Sequence, residues 1–422
     1  MFLLFITHSI NRINFSFISQ RLDDEVMNIA EKEFLSVLSA FFNGSADIFI
    51  PEENFYEVIL LAKKHNVLPM VCEVLSKNNG KEKRFQSEKA TALMLFSSQC
   101  VRTERFLFLY RLLLKAGITP LCVKGITLRS LYKNGSIRPS TDEDLLVKKE
   151  DMPLFEKLME ENGFELKSEG KNEKTYIERE TSLIIEAHTS LFCEREMLGK
   201  TLDELFSNPF DFSKTVMIEN TPILTLDAQK GLLYLVCHAF KHFIRCGVGI
   251  RQVCDIAVYM RSHKAELDIP LLESELSKLN ADVFFKALVN IAVKHLGFED
   301  IAFPSLDKEL DEQPLLEDIL RGGIYGKGES ARVHAAPLTL SAAEGKGKTA
   351  SVFSAVFPSF KKLSLEYPSL KKFFFLYPFF LIWRIAKYLF CVAVKKEEHS
   401  TPKESLKKGE ERKELLKKYK II

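Results

Sequence analysis

The stretch that decides the reading runs from Ile118 to Val147, ITPLCVKGITLRSLYKNGSIRPSTDEDLLV, and is completed by IIEAH at 184–188. TPLCV (119–123) is short, apolar and β-prone. GITLRSLYK (125–133) reads as a helix and NGSIRPS (134–140) as a turn-rich loop. DEDLLV (142–147) alternates and then turns wholly apolar, as a strand entering a core does. Asp151 is placed to cap a helix running to Asn162, with Gly163 as its stop. Strands are expected near 174–178 and 182–189. The order β-α-β-α-β-β predicts an α/β (α+β) fold with a small mixed sheet.

Within that frame, Asp142 and Asp144 are two residues apart in a strand and so share one face. Two carboxylates so placed repel each other unless a cation joins them. Mg2+ takes hard oxygen ligands and is commonly held by one or two carboxylates plus substrate phosphates. Glu186 stands in another strand-like segment, LIIEAHTSL, where a lone charge is costly without a partner. On a neighbouring strand it completes a three-carboxylate site for Mg2+ or Mn2+, suited to in-line displacement. His188 lies on the same strand face. It reads either as a phosphate contact or base, or as a packing histidine. Lys124-Gly125 falls at a strand-to-helix turn, where glycine admits a phosphate and lysine adds a cation. Arg138, four residues before Asp142, suits bidentate phosphate contact.

The flanks are helical. Residues 27–116 read as two or three amphipathic helices and then a long one ending near Gly117. Residues 226–244, 249–260 and 269–297 read as further helices. A Gly/Ala/Ser/Lys-rich linker follows at 321–357, then an aromatic-rich segment at 358–395 and a solvated charged tail at 396–422. The first 26 residues read as a poorly ordered extension, with Met27 the better-fitting start. His238 and His242 share a helix face at i, i+4, but HAFKH is not the zinc-protease H-E-x-x-H; packing or site-lining roles fit better. GKGKT (345–349) lacks both the earlier glycine and the preceding strand of a P-loop.

Lys plus Arg number 59 against 57 Asp plus Glu, so no global charge favours a polyanionic partner, and no base-reading motif argues for nucleic acid. The eight cysteines form no C-x-x-C pair and sit mostly in apolar runs, as reduced core residues of a cytoplasmic protein do. FFFLYPFFLIW (373–383) is apolar for eleven residues before Arg384 and Lys387 interrupt it. A membrane-spanning helix needs about 20 apolar residues. Burial against the helical region and peripheral contact with the inner membrane face through 371–396 both remain open.

VKGITLRSLYKNGSIRPSTDEDLLVKKED, with the strands up to IIEAH and the later HAFKH and CDIA segments, resembles the uncharacterised nucleotidyltransferase family. That family is a branch of the DNA polymerase β-like superfamily, and the likeness extends over roughly residues 28–395. The superfamily's small-residue turn maps onto Lys124-Gly125, with lysine as a departure, and its carboxylates onto Asp142, Asp144 and Glu186. The resemblance implies a catalytic core at 117–225 and transfer of a nucleoside monophosphate from an NTP to an unidentified acceptor. It also implies that Asp255 pairs with one of the two helix histidines. The rival is a degenerate nucleotide-binding or membrane-surface module without turnover.

Overall fold

The computed structural model describes residues 27–44, 48–77, 83–170, 172–192, 199–245, 247–323, positions 360, 363, 364, 367 and 370, and then 372–383 and 402–422. The 1–26 extension, nearly all of the 321–357 linker, GKGKT and residues 384–401 lie outside them. Four helices open the described chain: α1 (Ile29–Asn43), α2 (Glu52–Lys64), α3 (Leu68–Leu75) and the long α4 (Lys83–Lys115). Asn28 starts α1 with a reciprocal cap. Its Oδ1 accepts from Glu31 N–H at 2.8 Å, and Glu31 Oε2 accepts from Asn28 N–H at 3.0 Å.

The chain then lays down β1 (Leu121–Cys122), α5 (Ile126–Arg129), β2 (Asp142–Leu146), α6 (Met152–Glu161), β3 (Phe164–Glu169), β4 (Glu173–Glu178) and β5 (Ile184–His188). After α7 (Gly199–Leu205) come β6 (Ser213–Ile218) and β7 (Thr221–Leu226). The seven strands form one mixed sheet in the order β3-β4-β5-β2-β1-β7-β6. β2 runs parallel to β5 and β1 parallel to β7, while β1 and β2 are antiparallel. The order exceeds the expected β-α-β-α-β-β by the edge strand β3 and the β6–β7 hairpin. β3 carries FELKSE with only Phe164 buried, so its apolar signal is weak. The hairpin turns through Glu219 and Asn220, both at positive φ, as tight two-residue loops require.

Strand alternation splits the core in two. On one face Cys122, Leu145, Ile185 and Ala187 pack with Phe106, Tyr110 and Leu113 of α4 and Phe155 of α6. Tyr110 fixes this layer: its hydroxyl donates to Pro120 O at 2.7 Å and accepts from Leu224 N–H at 3.0 Å. On the other face Leu121, Val123, Leu146 and Leu226 join a larger helical core. That core holds α1–α3 together with α8 (Ala228–Arg245), α9 (Ile250–Ser262), α10 (Ile269–Ser277), α11 (Asp282–Leu296) and α12 (Gln313–Gly322).

The charged tail departs from its expectation as a solvated end. Residues Pro402–Lys418 form α13, and Leu416, Tyr419 and Ile421 are buried in the helical core. Arg412, 2% exposed, pairs with Asp318 of α12 at 2.8 Å, donates to Phe243 O and lies 5.2 Å from the Phe243 ring centroid. Tyr419 OH donates to Asp311 O at 2.9 Å. The buried stripe Arg412–Leu416–Tyr419 recurs at i, i+4, i+7, and the surrounding Lys/Glu composition conceals it. Removing one partner of a buried ion pair strands the other, so Asp318→Ala is expected to cost about 3 kcal/mol. Thermal unfolding should show the lowered Tm, with Lys417→Ala on the exposed side near wild type.

Candidate active site

The parallel pairing of β2 with β5 sets Asp142 beside Ile184, Asp144 beside Glu186 and Leu146 beside His188. Asp142, Asp144, Glu186 and His188 therefore share the sheet face that meets the helical core. The donor atoms of Asp144, Glu186 and His188 lie within 4.8 Å of one another. His188 Nε2 is 3.6 Å from Asp144 Oδ1 and 3.9 Å from Glu186 Oε2. Asp142 stands at the strand's start, half-buried, its Oδ1 accepting from Ser140 Oγ at 3.1 Å. The compact trio is thus two carboxylates and an imidazole, with Asp142 beside it. Glu173, opposite His188 on β4, brings its carboxylate within 3.8 Å of His188 Nδ1. Its place was hidden because the register between β4 and β5 is not written in either strand alone.

The electrostatics match this crowding. Burial, followed by the charges of Asp144 and Asp142, pushes Glu186 up to about 7. Burial alone would raise Asp144 too, but Lys124 and His188 outweigh it and hold that carboxyl below its ordinary range. Burial works against a charged His188, and the Asp144 carboxylate more than offsets it, so the imidazole titrates above its usual value. Asp144 Oδ2 and His188 Nε2 are buried without a hydrogen-bond partner.

Lys124 enters the same cluster from the turn after β1. Its ammonium lies 3.8 Å from Asp144 Oδ2 and 3.2 Å from His238 Nε2, and His242 Nε2 lies 3.1 Å from that same imidazole nitrogen. Burial and then Lys124 hold both imidazoles below their usual value, His242 at about 3, so α8 brings neutral rings to the site. The two histidines of HAFKH are brought to the acid cluster through Lys124.

Gly125 adopts φ +68°, and a Cβ there would stand 2.1 Å from Glu143 Oε2. Glu143, the middle residue of Asp-Glu-Asp, points through the opposite face. It accepts from Ile126 N–H at 2.7 Å and pairs with Arg129 at 2.5 Å. The Lys-Gly turn is thus clamped by the residue between the two aspartates. The signal for Glu143 in the sequence is an acid on the core side of a strand, with Arg129 a helical turn past Gly125. The clamp occupies the Ile126 amide that a phosphate would otherwise meet.

Arg138 is not in the cluster. It is 1% exposed and grips Asp255 of α9 bidentately, at 2.5 and 2.6 Å, while Tyr132 OH donates to Asp255 at 2.8 Å. Two expectations are corrected together. Arg138 ties the 134–140 loop to α9 instead of facing phosphate, and Asp255 meets that arginine instead of a helix histidine. Arg251 adds a bond to Pro139 O in the same loop. This anchoring fixes where β2 begins.

A family model described as an uncharacterised nucleotidyltransferase matches residues 51–297, more than half of the chain. The chain belongs to that family. No curated protein and no solved structure matches it. The matched span contains the acid cluster, the clamped turn and the two histidines of α8, and membership supports a transferase.

Two outcomes follow from this geometry. Gly125→Ala meets both a left-handed φ and the Glu143 carboxylate, whereas Gly163→Ala, at φ +80° with nothing within 4 Å, meets only the first. Gly163→Ala should cost about 1 kcal/mol, and Gly125→Ala clearly more, in denaturant melts. Glu186 gives up its proton more easily unfolded than folded, so its ionisation removes stability as pH rises from its ordinary value towards about 7. In metal-free protein, the Tm of Glu186→Gln relative to wild type should therefore increase across that interval.

Proposed function

We propose that this protein transfers a nucleoside monophosphate from an NTP to a nucleophilic group of a small molecule, sugar or protein. The observation that carries the reading is the convergence of Asp144, Glu186 and His188 on one sheet face, beside Lys124, in a chain of nucleotidyltransferase family. The donor set fits a divalent cation. Asp144 Oδ2 and His188 Nε2 are buried and without hydrogen bonds, and the neighbouring carboxylates repel each other. Asp144 and Glu186 suit Mg2+, while an imidazole nitrogen extends the fit to Mn2+. Asp142 lies on the same strand face, two residues before Asp144. A cation held there supplies charge neutralisation for the triphosphate and for the departing pyrophosphate.

The chain's own residues do the rest. Lys124 adds fixed positive charge beside Asp144, available to a phosphate oxygen. The Gly125 turn, held by Glu143, keeps that lysine in place. The Glu186 carboxylate is the most solvent-facing of the trio, at 31% against 17% and 6%, and so is the group best reached by an acceptor hydroxyl. It takes the proton as the hydroxyl attacks the α-phosphate in line. Glu173, 3.8 Å from His188 Nδ1, adds negative charge behind the imidazole. His238 and His242, neutral, fix Lys124 from the helical side.

The test is incubation of the purified protein with each labelled NTP, Mg2+ or Mn2+, and a host-cell extract. Wild type should produce a labelled product, and Asp144→Asn should lower its yield by about a hundredfold or more. Cation-dependent NTP binding with no labelled product from any NTP would mark a binding module instead.

A further inference from the structure

Residues 372–383 form a surface that the nucleotidyl-transfer reading leaves unused. Phe374–Leu376 make one 3-10 turn and 377–383 are helical. One side is anchored: Tyr377 meets Phe360 at 5.9 Å between ring centroids, and Phe380 meets Tyr367 at 4.8 Å. The other side is apolar and open. Phe374, Phe375, Phe379, Ile382 and Trp383 are 55–72% exposed. Phe375 in the 3-10 turn, with Phe379 and Ile382 in the helix after it, together form one exposed apolar stripe. Exposed apolar patches of this kind mark contact surfaces.

The charge around the stripe selects the partner. From Lys371 to Lys396 the sequence holds four lysines besides Lys387 and Arg384, and no Asp or Glu. Lys372 is exposed directly beside the phenylalanines. Phe, Tyr and Trp with flanking cations are the side chains that settle at a headgroup boundary, rings towards the acyl chains and cations against phosphate. Among the described residues no helix is long and apolar enough to cross a membrane. We infer that residues 372–383 dock this protein on an anionic lipid surface, the Phe375–Phe379–Ile382 stripe entering the interface and the exposed Lys372 beside it meeting lipid phosphates.

Trp383 is the chain's one tryptophan and lies at the end of the stripe, so its fluorescence reports this contact directly. The full chain is titrated with phosphatidylcholine vesicles containing phosphatidylglycerol, and with phosphatidylcholine alone. With anionic vesicles the emission should move to the blue and be quenched by brominated lipid, with much weaker partition onto phosphatidylcholine. Lys372→Glu with Phe375→Ser and Phe379→Ser changes only exposed side chains and leaves the reporter in place. It should partition at least about tenfold more weakly, since the lost cation alone accounts for about fivefold. No shift with either vesicle, equal partition onto both, or unchanged partition of the variant would overturn the proposal. So would a blue shift without lipid that grows with protein concentration, which would assign the stripe to a second copy of the chain. None of these readings depends on NTP turnover.

Discussion

Everything at the site depends on one parallel strand pairing that places like charges side by side. β2 and β5 meet with Asp144 directly opposite Glu186, and alternation then puts His188 on the same face. Opposed carboxylates oppose folding of a sheet centre, and burial worsens the effect. The structure offsets this in part with Lys124, within 3.8 Å of Asp144, and with the His188 imidazole. The offset is incomplete: Glu186 keeps its proton to about 7, and Asp144 Oδ2 has no hydrogen bond. A strained arrangement of this kind persists when something outside the chain completes it, and a divalent cation has the right charge and ligand preference.

The rest of the fold holds that pairing in register. Glu143 is turned to the other face by the same alternation that aims its neighbours at the site, and it locks the Lys124-Gly125 turn through Ile126 and Arg129. The Arg138–Asp255–Tyr132 cluster fastens the loop before β2 to α9. α8 brings His238 against Lys124 from the helical side. One strand of five residues, Asp142–Leu146, thus carries ligands on one face and its own support on the other. This division explains why the helical region after residue 226 belongs to the site: it supplies the wall that the acid cluster faces.

Much of this was legible in the residues. Alternation in DEDLLV and the period change after Gly117 give the α/β core; facing rules pair Asp142 with Asp144 and Glu186 with His188, while bringing the two pairs together rests on the β2–β5 register and, in the sequence, on the family resemblance. What the residues leave open are partners set by three-dimensional packing. Arg138 carries the same side chain whether it binds phosphate or a buried aspartate, and only the approach of α9 decides. Glu143 looks like a spacer until its strand is paired. Glu173 needs the β4–β5 register. The tail reads as solvated because Arg412, Leu416 and Tyr419 are diluted among lysines and glutamates, and their burial depends on α12 being there to receive them.

The central claim is that Asp144, Glu186 and His188 together hold a divalent cation. Electron paramagnetic resonance of Mn2+ titrated with the purified chain in the absence of NTP reads this directly, since protein-bound Mn2+ loses its free-ion signal. The account predicts saturable Mn2+ binding by the wild type, and its loss when Asp144→Asn is combined with Glu186→Gln. Undiminished Mn2+ binding by that folded double variant would contradict it.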